Sequence, residues 1–324
     1  MSLRTGSERK TPKPALAWPR RRYPYTPTLA IGGMLTVRAP ATSANLGSGF
    51  DVFGVALSRP ADIIRVSKAD ETTIEVTGTG SQYIPEDPEK NTVGAVVEAL
   101  DAPAHIEIDK GIRPASGLGS SAASAAAAAV ALDELYDRGH TREELVPIAA
   151  EGEAVVSGDA HADNVAPSIL GGFTVATDEG ITGVDTAIPL VACLPEIVVS
   201  TRDARRVVPE EVTMEEQVET VGKAATLTVG MCRGDPELVG QGMDDSVVTP
   251  ARAALIDGYE AVRREAFAAG ATGVTVSGAG PAVLAACRAG ERRAVGSAML
   301  DAFAERDIEA RVYRARVGRG ATIH

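Results

Sequence analysis

Three short stretches hold residues whose types and spacing suit chemistry. One is Ser116-Gly117-Leu118-Gly119-Ser120-Ser121-Ala122, preceded by Pro114-Ala115 and running into an alanine-rich segment that ends near Ala131. Alanine is the strongest helix former, so a helix begins there. Its first turn leaves backbone N–H groups without partners and presents the positive end of the dipole. Glycines let such a backbone approach a ligand closely. Together these features make an anion site suited to phosphate, with the Ser121 hydroxyl placed to ligate a metal bridging phosphates. No Lys-Ser/Thr pair closes the loop, so it is not a Walker P-loop. It does satisfy G-x-G-x-x-A, the dinucleotide fingerprint. That motif, however, needs a strand ending at the first glycine and an acid at the end of the next strand. Here Lys110–Ser116 intervene, and Asp133 and Glu134 fall on the same helix.

The second stretch, Pro40-Ala41-Thr42-Ser43-Ala44-Asn45-Leu46-Gly47-Ser48-Gly49-Phe50-Asp51, reads as a loop that follows the first strand of the body. An amide and a carboxylate among glycines either cap a local turn or face a ligand. The third, Val276-Ser277-Gly278-Ala279-Gly280-Pro281-Ala282, joins two strands and by itself is no more than a hairpin loop.

The elements that must position these loops follow from periodicity. Alternation predicts strands at Leu35–Arg38, Asp62–Ser67, Thr73–Thr77 and His105–Asp109, with a helix over Thr92–Leu100. A long helix follows the glycine loop to Tyr136. Another covers Arg142–Val156, opened by a Thr141/Glu144 capping box. A strand is expected at Gly171–Ala176. Then come strand Leu190–Ser200, helices Glu215–Cys232 and Pro250–Ala268, strands Gly273–Ser277 and Ala282–Cys287, helix Arg292–Glu305 and strand Glu309–Ala315. With the two middle helices taken as one layer, the order is β-α-β-β-α-β, a ferredoxin-like arrangement.

Composition bounds the rest. At 324 residues the chain has room for about two domains, and its 44% hydrophobic and 23% charged residues are ordinary for a globular protein. No apolar run is long enough to cross a membrane. The net charge is −12. Residues 1–33 hold seven basic residues and Glu8, hence +6, which leaves −18 for the remainder. Six of the 32 bases are lysine. Such an acidic, lysine-poor body suits concentrated salt, where screening hides self-repulsion, and it disfavours nucleic acid as a partner. Cys193, Cys232 and Cys287 show no metal or redox spacing and read as free thiols in the reducing cytoplasm. The basic, Pro-rich segment 1–33 reads as a disordered tail or as a mis-assigned start, with Met34 the true first residue.

Taken in order, the three motifs resemble the GHMP kinases, from Met34 to about Gly318. The first loop and two further stretches sharpen the resemblance toward the branch that phosphorylates L-homoserine. These are Glu153 followed by His161-Ala162-Asp163-Asn164-Val165-Ala166-Pro167, and Thr201-Arg202-Asp203-Ala204-Arg205. Ser48 departs from that pattern, in which proline is usual. The resemblance implies an α+β fold: a ribosomal S5-like N-terminal α/β domain over 34–185 and a ferredoxin-like C-terminal domain over 186–324. It also implies transfer of the ATP γ-phosphoryl group to the homoserine hydroxyl, giving O-phospho-L-homoserine, a precursor of threonine, and a homodimer.

The same resemblance distributes the roles. Pro114, Ala115, Ser116, Gly117, Leu118, Gly119, Ser120 and Ser121 hold ATP, with Asn91 and Lys110 as candidates for the rest of the nucleotide site. Ser121 and Glu153 hold Mg²⁺, with Glu151 a nearby competitor. Asp51 or Asp163 meets the substrate ammonium, and Arg205 and Arg252 meet its carboxylate. Asn45 and Asn164 orient the hydroxyl, while His161, Gly278 and Gly280 line the pocket. No strong base is implied, which suits a loose phosphoryl-transfer transition state.

Overall fold

The computed structural model describes residues 33–157 and 162–324. The basic segment up to residue 32 lies outside the described residues, and so does the expectation attached to it. The first unit comprises β1 (Leu35–Ala44), β2 (Phe53–Lys68), β3 (Thr73–Gly78), α1 (Thr92–Leu100), β4 (Ala104–Lys110), α2 (Ser120–Tyr136), α3 (Arg142–Ser157), α4 (Ala162–Leu170), β5 (Phe173–Thr177) and β6 (Gly180–Val184). The second comprises β7 (Pro189–Pro195), α5 (Thr201–Arg206), α6 (Met214–Arg233), α7 (Pro236–Met243), α8 (Val248–Ala253), α9 (Tyr259–Ala268), β8 (Ala271–Val276), β9 (Val283–Cys287), α10 (Arg292–Ala304) and β10 (Ala310–Arg316). A last short strand, β11 (Thr322–Ile323), returns to the first sheet and pairs with β1. We propose that the two units divide near residue 185, with β11 crossing back.

The first sheet runs β11-β1-β2-β4-β3, with β5 on β2 and β6 on β5. The second runs β10-β7-β9-β8 with antiparallel neighbours. Alternation along its strands splits the core. Leu190, Ala192, Leu194, Leu284 and Ala286 join the core of the first unit. Val191, Cys193, Val283, Ala285 and Cys287 form a second core with α9 and α10.

Several expectations change here. Pro40–Ala44 continue β1 rather than forming a loop, so the first loop is confined to residues 45–52. The strand expected to reach Ser200 ends at Pro195 and gives way to α5. The segment 250–268 is two helices, α8 and α9. The two middle helices are not one layer: Leu227 and Met231 of α6 pack with the first core, and Val262 and Ala266 of α9 with the second. A continuous apolar period hides such a change of partner. The Thr141/Glu144 box forms with reciprocal bonds of 2.8 and 3.2 Å.

Helix α2 is buried on every side from Ala122 to Leu132, which its small side chains permit against neighbours at close range. Its first turn is fixed by an internal ion pair. The Lys110 ammonium donates to Asp62 Oδ2, to the Ser120 carbonyl (2.9 Å) and to Ser124 Oγ (2.8 Å). Asp62 Oδ1 accepts from the Gly111 and Ile112 amides, both at 3.0 Å. Burial pushes the Asp62 carboxyl up and the Lys110 ammonium down, and their mutual attraction opposes both shifts. Removing one partner strands the other charge, so Asp62→Ala should cost about 3–5 kcal/mol. The denaturation midpoint in molar KCl measures this, and a midpoint unchanged from wild type would refute the structural role.

Candidate active site

A cleft of about 620 Å³ lies between the units, walled by the loop from Pro114 to Ser121, the ends of α3 and α4, α5, α8 and the third loop. At its floor the first turn of α2 is uncapped by any side chain: the N-cap is Gly119, with φ +62°. The position admits no larger residue, because a Cβ there would collide with Thr42 Oγ1 and Asn164 Oδ1. The Gly117 Cβ would likewise meet the Ser277 and Gly280 carbonyls. The amide end of α2 therefore faces the cleft, held by neighbours packed against bare glycine backbone.

The three loops are tied to one another by single hydrogen bonds. Ser277 Oγ lies 2.7 Å from the Gly117 carbonyl and 2.8 Å from Ser43 Oγ. The Thr42 amide donates to the Leu118 carbonyl (3.1 Å) and the Gly278 amide to the Ala44 carbonyl (3.2 Å). Thr42 Oγ1 donates to Asn164 Oδ1 at 2.8 Å. The Gly278 carbonyl accepts from both Asn45 Nδ2 (3.2 Å) and Arg252 Nη1 (2.7 Å). Asn45 Oδ1 in turn accepts from the Asp51 amide at 2.9 Å, which shapes the turn that presents Asp51.

At the α3 side, Ser121 Oγ donates to Glu153 Oε1 at 2.9 Å. Burial pushes the Glu153 carboxyl up to about 8; the Ser121 hydrogen bond opposes this, and the Asp163 charge adds to it. A buried carboxylate held toward its neutral form beside a second acid is what a cation would reverse. Two oxygen donors at the amide end of α2 fit Mg²⁺, which takes hard oxygen ligands and completes its shell with phosphate and water. Among the described residues no group of three or more His, Cys, Asp or Glu side chains converges on a metal position.

At the opposite end Arg205 Nη1 pairs with Asp51 Oδ2 at 2.5 Å. Arg252, buried on α8, also bonds the Ala204 carbonyl through Nε (3.3 Å). Both guanidinium groups stack near Phe50, at 5.2 and 4.9 Å from its ring centroid. Desolvation pulls Arg252 below its ordinary value, while the Asp51 charge pulls it back.

Most residues singled out in the sequence thus meet at one cleft, and Asp163, Asn164 and Gly280 line it too. Three also carry internal bonds. Leu118 is buried, its amide donating to Ser116 Oγ at 3.3 Å, so it anchors the loop instead of lining the cleft. Lys110 lines the wall, but its three N–H donors are all engaged internally. Asn91 lines the cleft as well, while its Oδ1 accepts from the Val93 amide (2.9 Å), capping α1, and its Nδ2 donates to the Pro85 carbonyl (2.6 Å). The expectation for His161 lies outside the described residues. Glu151, the competitor for the metal role, is exposed whereas Glu153 is buried. Sequence reasoning missed Phe50, Asp62, Asp245 and the tying role of Thr42 and Ser277. Asp245 accepts from the Val247 and Thr249 amides at 3.0 and 2.5 Å, capping the helix that carries Arg252. It lies two residues before the N-cap position, Val247, and so outside the usual capping pattern. Asp62 gave no signal, because its partner is 48 positions away.

The models for the GHMP kinase N-terminal and C-terminal domains match residues 90–172 and 227–305. A relative from Haloarcula marismortui, named homoserine kinase, is 76% identical over 290 residues, covering 90% of this chain and all of that one. Another of that name, from Natronomonas pharaonis, is also 76% identical over the same shares. A crystal structure of homoserine kinase from Cytophaga hutchinsonii is 34% identical with a TM-score of 0.84, covering 91% of this chain and 98% of that chain. The mevalonate kinase of L. major, 17% identical with a TM-score of 0.70, shares the fold. The chain belongs to the GHMP kinases, ATP-dependent enzymes of two α+β units. Within them it falls among the homoserine kinases. The acidic, lysine-poor composition fits the halophilic sources of the Haloarcula and Natronomonas relatives.

The Glu153 carboxyl carries a pH signature. The folded chain holds its proton to about pH 8, whereas the carboxyl ordinarily titrates near 4.5. The metal-free protein should therefore lose stability as pH rises from about 4.5 through about 8. Glu153→Gln should flatten that part of a thermal-melting profile; an identical slope in both proteins would show that Glu153 ionises freely.

Proposed function

We propose that this chain binds Mg·ATP and L-homoserine in the one cleft and transfers the γ-phosphoryl group to the homoserine side-chain hydroxyl. The observation that carries the reading is the juxtaposition in one cleft of an uncapped helix N-terminus, a Ser121–Glu153 pair and, toward its other end, Arg205 and Arg252 stacked near Phe50. Phosphates would lie against the amides of Gly117, Gly119, Ser120 and Ser121, where the dipole and the open end of α2 favour them. Ser121 and Glu153 would hold Mg²⁺, which when bound neutralises phosphate charge. Asp51 or Asp163 would take the substrate ammonium. Arg205 and Arg252 would take its carboxylate, Arg252 held in place by two carbonyl bonds and Arg205 released from Asp51 as the zwitterion enters. Asn164, oriented by Thr42, and Asn45 would direct the hydroxyl toward the phosphorus. Positioning and charge neutralisation are most of what a loose transition state asks, and early deprotonation of the hydroxyl is not required. A reducing cytoplasm is the compartment we infer from the two buried thiols and exposed Cys232.

ADP release from Mg·ATP in molar KCl tests the reading. It should depend on L-homoserine and ignore mevalonate, shikimate and galactose; turnover with one of those and none with homoserine would overturn it. Arg205→Ala should raise KM for homoserine and leave that for ATP nearly unchanged. Phe50→Leu should do the same by a few-fold to about thirty-fold, the range expected from loss of cation–π contacts worth about 0.5–2 kcal/mol. Equal effects on both substrates would remove these residues from the amino-acid end.

A further inference from the structure

Two side chains outside the cleft bind the backbone where α7 gives way to α8. Ser48 is buried, and its hydroxyl donates to the Gly242 carbonyl at 2.7 Å. That carbonyl is one of the terminal ones of α7, which have no partner within the helix. A proline at position 48 could not make this bond. The neighbouring Gly47 lies so close that a Cβ would stand 2.2 Å from the Met243 carbonyl oxygen. The first loop is therefore seated on the end of α7, and it carries Phe50 and Asp51 immediately beyond this anchor.

Asp245 acts on the other side of the same junction. Its amide donates to the Met243 carbonyl at 3.0 Å, closing the end of α7. Its carboxylate takes the Val247 amide (3.0 Å) and the Thr249 amide (2.5 Å) at the start of α8. The N-cap residue itself, Val247, supplies no side-chain bond. The buried Thr249 hydroxyl then ties α8 to β8, 2.9 Å from that of Thr275. A helix of six residues does not hold its own direction, so these anchors aim it. Arg252 lies one turn beyond Thr249 and reaches the Gly278 and Ala204 carbonyls and the Phe50 ring. The Asp245 charge also attracts its guanidinium.

The backbone from Gly242 to Asp245 thus carries both sides of one contact: Phe50 on the loop held by Ser48, and Arg252 on the helix started by Asp245. Neither Ser48 nor Asp245 lines the cleft, so each acts through a residue that meets there.

We propose that Ser48 and Asp245 are positioning residues for the amino-acid end of the cleft, fixing the separation between the Phe50–Asp51 loop and Arg252 through the α7–α8 junction. The proposal rests on the assignment of that end to homoserine. Loosening either anchor lets one half of the end shift against the other. The glycine loop before α2 has its own ties through Thr42 and Ser277 and stays where it is.

ADP release in molar KCl, with each substrate varied in turn, tests this. Ser48→Ala and Asp245→Asn should each raise KM for L-homoserine about three- to ten-fold, the range for one lost hydrogen bond, and leave KM for ATP unchanged. Asp245→Ala, which loses both amide bonds, should exceed Asp245→Asn. In an Arg252→Ala background, Asp245→Asn should lower kcat/KM for homoserine by less than about two-fold more, because its effect passes through Arg252. An unchanged KM for homoserine, equal rises for both substrates, or a loss that adds in full to that of Arg252→Ala overturns the proposal. If the Asp245 variants do not fold, Ser48→Ala decides, with its cycle run against Phe50→Leu and the same outcomes. A wild type whose ADP release ignores homoserine removes the substrate reading and the proposal together. A homoserine-dependent wild type with unaltered variants removes the proposal alone.

Discussion

The constraint on which the rest depends is that the first turn of α2 must stay uncapped. Most helices satisfy their leading amides with a side chain, and here any such cap would occupy the place meant for an anion. The molecule replaces the missing cap from behind. Lys110 binds the Ser120 carbonyl, Ser124 and Asp62; Asp62 holds two amides of the approach; and Ser277 and Thr42 hold the Gly117 and Leu118 carbonyls. The helix end is thus fixed through carbonyls and deeper side chains, which leaves its N–H groups facing the cleft. The buried ion pair is costly to assemble, since two charges leave water, and that cost is the counterpart of an open anion site.

The same logic places the catalytic cleft between the units. The loops from each unit bond to one another through backbone carbonyls, above all that of Gly278, which takes Asn45 from one side and Arg252 from the other. The face of the second sheet carrying Leu190 and Leu284 completes the first core. The units are therefore joined by both apolar packing and the polar loop contacts, and the spacing between the amide end of α2 and the Arg205–Arg252 end is set by the fold as a whole.

Much of this was legible in the sequence because it is local. The glycine loop, the alanine helix, the Thr141/Glu144 box and the second-half strand order all depend on neighbours within a few residues or on simple periodicity. What was not legible depends on distant pairs. Asp62 sits within a 16-residue strand and looks like any polar strand residue until Lys110 folds against it. Lys110 and Asn91 were expected to face ATP because they flank the right loops; both line the cleft, but the Lys110 donors are engaged by Asp62, Ser120 and Ser124, and Asn91 also caps α1. Phe50 escaped notice since an aromatic beside two glycines has no meaning until Arg205 and Arg252, 155 and 202 positions later, stack near it. The α6 and α9 helices were placed in one layer because periodicity reports that a face is apolar, not which core receives it.

The Asp51–Arg205 pair has a bearing on life in brine. A lone carboxylate or guanidinium at the mouth of a cleft would attract counterions wherever potassium and chloride are abundant, and the amino acid would have to compete with them. Joined to each other, the two side chains offer little to either ion alone. What separates them efficiently is a single molecule carrying both signs of charge at a matching spacing. Under the proposed assignment, the pair is thus closed to either ion of the electrolyte and opens to a zwitterion.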